Sequence, residues 1–132
     1  MKTPDRLTDE TFEKVCEILG GRYIHRTDNI CVAPAAHGNI YLKFVDRRDY
    51  EGNVYFEFEH NSRNNDFDHS IHGYFKECYV TSLGDKEARI VCRTLDYGND
   101  ETIARGNIEI HIHDGAIDYS ATSNATGRVD LK

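Results

Sequence analysis

The chain has 132 residues, enough for a single domain that buries about two-thirds of the surface exposed by its unfolded form. Its 16 basic and 23 acidic residues give a formal net charge of −7, which disfavours tight, non-specific binding to nucleic acid. No stretch approaches the ~20 consecutive apolar residues of a membrane span, and the amino terminus shows no apolar signal core. We therefore expect a cytoplasmic protein that binds neither nucleic acid nor membranes.

The first predicted element is a helix over about residues 9–19. Thr8 can cap its free backbone amides, and Gly20-Gly21 can end it, because glycine adopts the left-handed conformation without steric cost. The apolar residues of this segment recur at helical spacing: Phe12, Val15, Cys16 and Leu19. Because this apolar stripe is narrow, we expect the helix to pack on a sheet.

Beyond the helix, apolar residues alternate with polar ones, which predicts β-strands with one packed face and one wet face. Two short strands come first, and a meander of six strands follows them. The predicted strands are, in chain order, 22–26, 30–33, 39–46, 53–59, 71–82, 87–96, 103–113 and 116–122. The last residues, 123–132, are small and polar, and they predict a mobile tail.

These elements predict an α+β fold in which one N-terminal helix packs on a curved antiparallel β-meander of six or more strands. Twisted sheets of this size tend to curl, so we expect a strongly bent sheet or a partial barrel around the helix. The whole chain, 1–132, is predicted to form one domain. An unpaired edge strand, either 116–122 or a short segment before Pro34, would offer a place for a homo-oligomer to form.

The chain has four cysteines, and none of them belongs to a Cys-x-x-Cys pair. They are widely spaced, at Cys16, Cys31, Cys78 and Cys92. In a reducing compartment this pattern favours small buried hydrophobic side chains over disulfides or zinc ligands. We therefore predict four buried thiols.

The pair Asp114-Gly115 is typical of a two-residue hairpin turn, and such a turn fixes the register of the strands beside it. His111 should then face Asp118, with His113 on the same side of the sheet. Two imidazoles and a carboxylate at this spacing indicate a metal site. The competing interpretation, which we favour, is a weak cross-strand ion pair on a wet face.

Two polar loops, 61–70 and 97–102, come to the same end of an alternating meander. Carboxylates and amides dominate this end, and loops on a rigid scaffold often carry recognition. The predicted partner-binding residues of this acidic rim are Asn64, Asn65, Asp66, Asp68, Asp96, Asn99, Asp100 and Glu101. Such a rim would steer the protein toward a basic surface.

No nucleophile elbow and no phosphate-binding loop occurs in the sequence, so we predict neither catalytic residues nor a cofactor. The first hypothesis is a non-enzymatic protein-binding module, an inhibitor or adaptor that docks on a basic, nucleic-acid-handling protein. Its size and charge match those of phage or toxin-immunity inhibitors, which is an analogy of composition only. The alternative is a small-ligand or metal-binding protein, or a minor enzyme, with a cavity between sheet and helix. Tyr41 and Tyr55, on the wet face of adjacent strands, would then bind the ligand.

Overall fold

The computed structural model describes residues 5–50, 53–62, 69–93, 107–122 and 126–132. These ranges contain one helix and eleven strands. In chain order they are β1 (Asp5–Arg6), α1 (Asp9–Ile18), β2 (Arg22–His25), β3 (Asn29–Pro34), β4 (Asn39–Tyr50), β5 (Asn53–Asn61), β6 (His69–Phe75), β7 (Glu77–Leu83), β8 (Ala88–Arg93), β9 (Asn107–His113), β10 (Ala116–Ala121) and β11 (Thr126–Asp130).

The strands form two antiparallel sheets, and the helix packs against them. The six-stranded sheet has the order β1-β7-β8-β9-β10-β11, and the five-stranded sheet runs β2-β3-β4-β5-β6. The predicted α+β fold with one N-terminal helix is confirmed. The meander is divided between two sheets instead of forming one bent sheet, and neither sheet closes on itself within the described ranges.

Helix α1 begins as the sequence predicts. The backbone N–H of Thr11 donates to Oγ1 of Thr8, and the hydroxyl of Thr11 is 2.8 Å from the backbone nitrogen of Thr8. This reciprocal capping box satisfies amides that the first turn leaves without partners. Phe12 is fully buried, and its ring stacks on Phe44 of β4 with the ring centroids 6.0 Å apart. No helix in the described part of the chain is long and apolar enough to cross a membrane.

The segment predicted as one strand over 71–82 is two strands that belong to different sheets. In β6 the odd-numbered residues Ile71 and Phe75 point into the core, whereas in β7 the even-numbered residues Cys78 and Val80 do so. The residues that point inward therefore change from odd-numbered to even-numbered positions at Lys76. There the chain leaves the five-stranded sheet and enters the six-stranded one.

The prediction of a mobile tail is wrong for Thr126–Asp130, which form β11 and pair antiparallel with β10. Tyr119 lies opposite Gly127 in this pair. A Cβ atom at position 127 would lie 2.3 Å from the phenol oxygen of Tyr119, so only glycine lets the ring cover the strand here. Because β10 pairs on both sides, the edge predicted at 116–122 is not an edge.

One hydrophobic core lies between the sheets. Phe58 of the five-stranded sheet and Tyr119 of the six-stranded sheet are both buried, with ring centroids 5.0 Å apart. The predicted register of the Asp114-Gly115 hairpin is confirmed, with His111 opposite Asp118. The isoleucines of β9 and β10 are all buried on the inner face: Ile108, Ile110, Ile112 and Ile117.

The four cysteines are buried as predicted, but the prediction that they are free thiols is wrong. Cys16 of α1 is bonded to Cys31 of β3, with the Cα atoms 5.7 Å apart. Cys78 is bonded to Cys92, its direct cross-strand partner on β8. Wide spacing in sequence hid both pairs, because antiparallel pairing and helix docking bring distant residues together. Gly21 fits beside the first bond, since a Cβ there would lie 2.8 Å from the Cys31 sulfur.

Candidate binding surface

The outer face of the five-stranded sheet carries both tyrosines singled out from the sequence. Tyr41 lies opposite Glu59 across β4 and β5, and Tyr55 lies opposite Val45. The two tyrosines are therefore four positions apart along the strands, which is about 13 Å. The pair formed by Lys43 and Glu57 occupies the positions between them.

A third tyrosine, which the sequence analysis did not single out, extends this face onto β6. Tyr74 is 51% exposed, and its ring meets Tyr55 edge-on with the centroids 5.2 Å apart. On β3, Val32 is 37% exposed on the same face. We define the tyrosine surface as this outer face, with the residues Val32, Tyr41, Lys43, Tyr55, Glu57 and Tyr74.

Polar contacts hold the tyrosine surface in place. The Tyr55 hydroxyl donates to Glu57, and burial together with this hydrogen bond raises the pKa of Tyr55 well above its ordinary value of 10.0. Burial also raises the pKa of Tyr41. Lys43 lies 5.7 Å from the centroid of the Tyr55 ring, and its ammonium is 3.4 Å from a carboxylate oxygen of Asp28. The phenols of Tyr41 and Tyr55 therefore stay protonated at neutral pH, and the hydroxyl proton of Tyr55 is held by Glu57.

The outer face of the six-stranded sheet holds the predicted histidines. Arg89, His111, Asp118 and Arg128 stand opposite one another in a single row across β8, β9, β10 and β11. Nε2 of His113 is 2.5 Å from a carboxylate oxygen of Asp118, and Nδ1 is 3.0 Å from Asp114. The His111 and His113 rings stack with centroids 4.1 Å apart.

The nitrogens of these two histidines are engaged by protein side chains. Both ring nitrogens of His113 face carboxylates, so hydrogen bonds to Asp118 and Asp114 raise the pKa of His113 above 6.5. Arg89 donates to Nδ1 of His111 over 3.2 Å, since a guanidinium has no acceptor atom. Within the described ranges, no group of three or more His, Cys, Asp or Glu side chains is arranged to hold a metal ion. The histidine that Asp118 contacts is His113 instead of the predicted His111, whose Nε2 lies 3.8 Å from a carboxylate oxygen of Glu87.

The ion pair of His113 with Asp118 predicts a pH-dependent stability. The raised pKa of His113 stabilises the fold below about pH 6.5, and that contribution is lost as pH rises through the folded-state pKa. Asp118 has a pKa lowered from 3.8, first by its hydrogen bond with His113, so its contribution is lost in acid. Asp118→Asn should therefore cost most stability between about pH 4 and pH 6.5.

Urea unfolding of Asp118→Asn and of the native protein between about pH 4 and pH 9 measures the difference. Asp130→Asn is the matched control, because Asp130 contacts Arg128 but neither histidine in the described structure. A stability difference that stays constant from pH 4 to pH 9 would rule out the His113–Asp118 pair as its source.

The predicted acidic rim lies outside the described residues. This applies to all eight of its members: Asn64, Asn65, Asp66, Asp68, Asp96, Asn99, Asp100 and Glu101. Four of them, Asn64, Asn65, Asp66 and Asp68, belong to the connection between β5 and β6, the strands that carry Tyr55 and Tyr74.

Comparisons of the chain with protein-family models, with curated proteins and with solved structures gave no significant match. The function is therefore inferred from the two outer sheet faces and their chemistry.

Proposed function

We propose that this protein is a non-enzymatic binding module that docks on another protein through its tyrosine surface. The observation that carries this proposal is the half-exposed Tyr74 against Tyr55 on a sheet whose opposite face is packed in the core. Tyrosine is enriched at protein interfaces because it combines a large apolar ring with a hydroxyl. An open sheet face offers aromatic area to a partner without requiring a cavity.

The packing between helix and sheets gives less support to the alternative, a ligand cavity in that space. Phe12 and Val15 of α1 are fully buried, and Phe12 stacks directly on Phe44. Small-molecule sites need a concave, partly open space lined by a few polar groups. The tyrosines assigned to that alternative, Tyr41 and Tyr55, lie on the outer face, away from the helix.

Charge supports a basic partner. The chain carries a net charge of −7, and Glu57 and Glu59 stand on the outer face of β5. Two acidic residues of the predicted rim, Asp66 and Asp68, lie just before β6 in the sequence. Opposite charge accelerates association and suppresses wrong partners. A basic, nucleic-acid-handling protein, inhibited or adapted by this module, is the partner class that we propose.

The two disulfides favour a non-reducing compartment for this encounter instead of the cytoplasm expected from the sequence. Structural disulfides persist where glutathione and thioredoxin do not reduce them. We therefore propose that the partner is met in such a compartment.

The test is the affinity for a partner that has been identified by co-purification and then purified. Tyr74→Ala should weaken binding about tenfold or more, because interface tyrosines are frequent hot spots. Binding should also weaken as salt rises, since exposed charges are screened. Titration calorimetry at two salt concentrations measures both effects.

The matched control is Tyr79→Ala, which removes a half-buried tyrosine from the outer face of the six-stranded sheet. It should leave the affinity unchanged. If Tyr74→Ala and Tyr79→Ala bind the partner equally well, the tyrosine surface is not the docking site. Binding that is indifferent to salt would exclude a basic partner surface.

A further inference from the structure

The sheet edges differ in how they are protected. In the described structure the terminal strands of the two sheets are β1, β11, β2 and β6. Charged side chains occur on β1, on β2 (Arg22) and on β11 (Arg128 and Asp130). Strand β6, with the sequence His-Ser-Ile-His-Gly-Tyr-Phe, has seven residues and none of Asp, Glu, Lys or Arg.

The other edges are also short or partly covered. Strand β1 has two residues, and β2 has four and lies against α1. Beside β11, the backbone N–H of Ala36 donates to the Asp130 carbonyl over 2.9 Å. Among the described strands, β6 pairs with β5 alone. Natural proteins protect exposed edge strands from pairing with another chain by charged side chains, by proline or by keeping the strand short. Strand β6 has none of these features.

We propose that β6 pairs antiparallel with β6 of a second copy of this chain, about a two-fold axis at His72. The two five-stranded sheets would then join edge to edge. In this register Ser70 faces Tyr74 of the copy on the outer side, and Ile71 faces Gly73 of the copy on the inner side. A large side chain meets a small one on both faces, so the half-exposed Tyr74 gains a neighbour without a clash.

The charge pattern of β6 favours a second copy of this chain as the strand that pairs with it. Self-pairing of β6, which has no Asp, Glu, Lys or Arg, places none of these charges face to face, whereas a peptide rich in them would find no opposite one on β6. The nearest carboxylates on this face, Glu57 and Glu59, stand one strand further in. Across the joined sheets Glu57 would lie about 14 Å from its copy and Glu59 about 19 Å from its copy. Both distances exceed the Debye length of about 8 Å at physiological salt.

This assembly does not depend on the proposed function, but it would extend the tyrosine surface. Tyr55 and Tyr74 of both copies would lie on one continuous outer face. Of the two edges predicted for a homo-oligomer, 116–122 is an internal strand, whereas the segment before Pro34 includes β2, which is a terminal strand. The proposed assembly uses β6 instead of either.

Cysteine cross-linking tests the register. All four native cysteines are in disulfides, so a cysteine introduced by His72→Cys is the lone thiol. Directly opposed residues of an antiparallel pair have Cα atoms about 4.5–5.5 Å apart, within disulfide range. His72→Cys should form a covalent dimer under mild oxidation. Ser70→Cys is the control and should form no covalent dimer, because its own copy would be about 13 Å away.

Sedimentation equilibrium tests the association itself. The native protein should dimerise, and His72→Lys should raise the dimer dissociation constant about tenfold or more, because two lysines would oppose each other. His25→Lys places the same charge on the exposed β2 edge and should leave the dimer intact. Far-ultraviolet circular dichroism verifies that each variant is folded. A native protein that remains monomeric at its highest soluble concentration, or a dimer that His72→Lys leaves unchanged, would overturn the proposal.

Discussion

Removal of both disulfides should lower the free energy of unfolding by about 6 kcal/mol. Cys16–Cys31 and Cys78–Cys92 close loops with sequence separations of 15 and 14 residues. In the chain-entropy model each such loop contributes about 3 kcal/mol, and a domain has only about 5–15 kcal/mol of stability in total. The quadruple Cys→Ala variant is therefore expected to lose most of its unfolding free energy, measured by urea denaturation.

The contributions of the two disulfides to stability can be measured separately with double Cys→Ala variants that each remove one bond. Cys16→Ala with Cys31→Ala releases α1 from β3, while Cys78→Ala with Cys92→Ala leaves β7 and β8 held by their backbone pairing. Each pair should cost about 2–4 kcal/mol, and the costs should add, because the bonds lie on different sheets. A quadruple variant with the native urea midpoint would contradict a structural role for either bond.

Phe44→Ala is expected to destabilise the fold by about 3–5 kcal/mol. Phe44 is 1% exposed, and its ring stacks on Phe12, so truncation removes the contact that docks α1 on the five-stranded sheet. The cavity adds to the lost burial, because a close-packed core relaxes only in part. Urea denaturation gives the total cost, and hydrogen exchange should report faster opening of α1.

A double-mutant cycle sharpens this result. Phe12→Ala with Phe44→Ala should cost less than the two single variants combined, because each single variant already breaks the shared contact. Val32→Ala, on the tyrosine surface, is the control and should change stability by about 0.5 kcal/mol or less. Additive effects of Phe12→Ala and Phe44→Ala would show that the two rings do not act as a unit.

Local signals in the sequence were sufficient wherever one turn or one cap decides the structure. Thr8 caps α1 as predicted, with Thr11 as its partner. Asp114 and Gly115 both have positive φ, 51° and 73°, as a type I′ turn requires. That turn fixed the register of β9 against β10, including the pairing of His111 with Asp118.

Long-range pairing was not predictable in the same way. A period of two says which face of a strand is buried, but it does not say which strands are neighbours. The change of phase at Lys76 was the available sign that 71–82 crosses between sheets. The prediction of one strand over 71–82 also hid Tyr74. If the even-numbered residues pointed inward throughout, as they do in β7, Tyr74 would belong to the core. Without the tertiary pairing, Cys78 and Cys92 gave no sign of being neighbours.

The link at Lys76 bears on how the protein denatures. One residue separates β6 from β7, and a bridge between Ala35 and Leu131 fastens the two sheets together a second time. Because of these two links, unfolding of one sheet disrupts the other sheet. We therefore expect a single cooperative unfolding transition instead of separate transitions for the two sheets. Slowly exchanging amides in both layers should then report the same opening free energy.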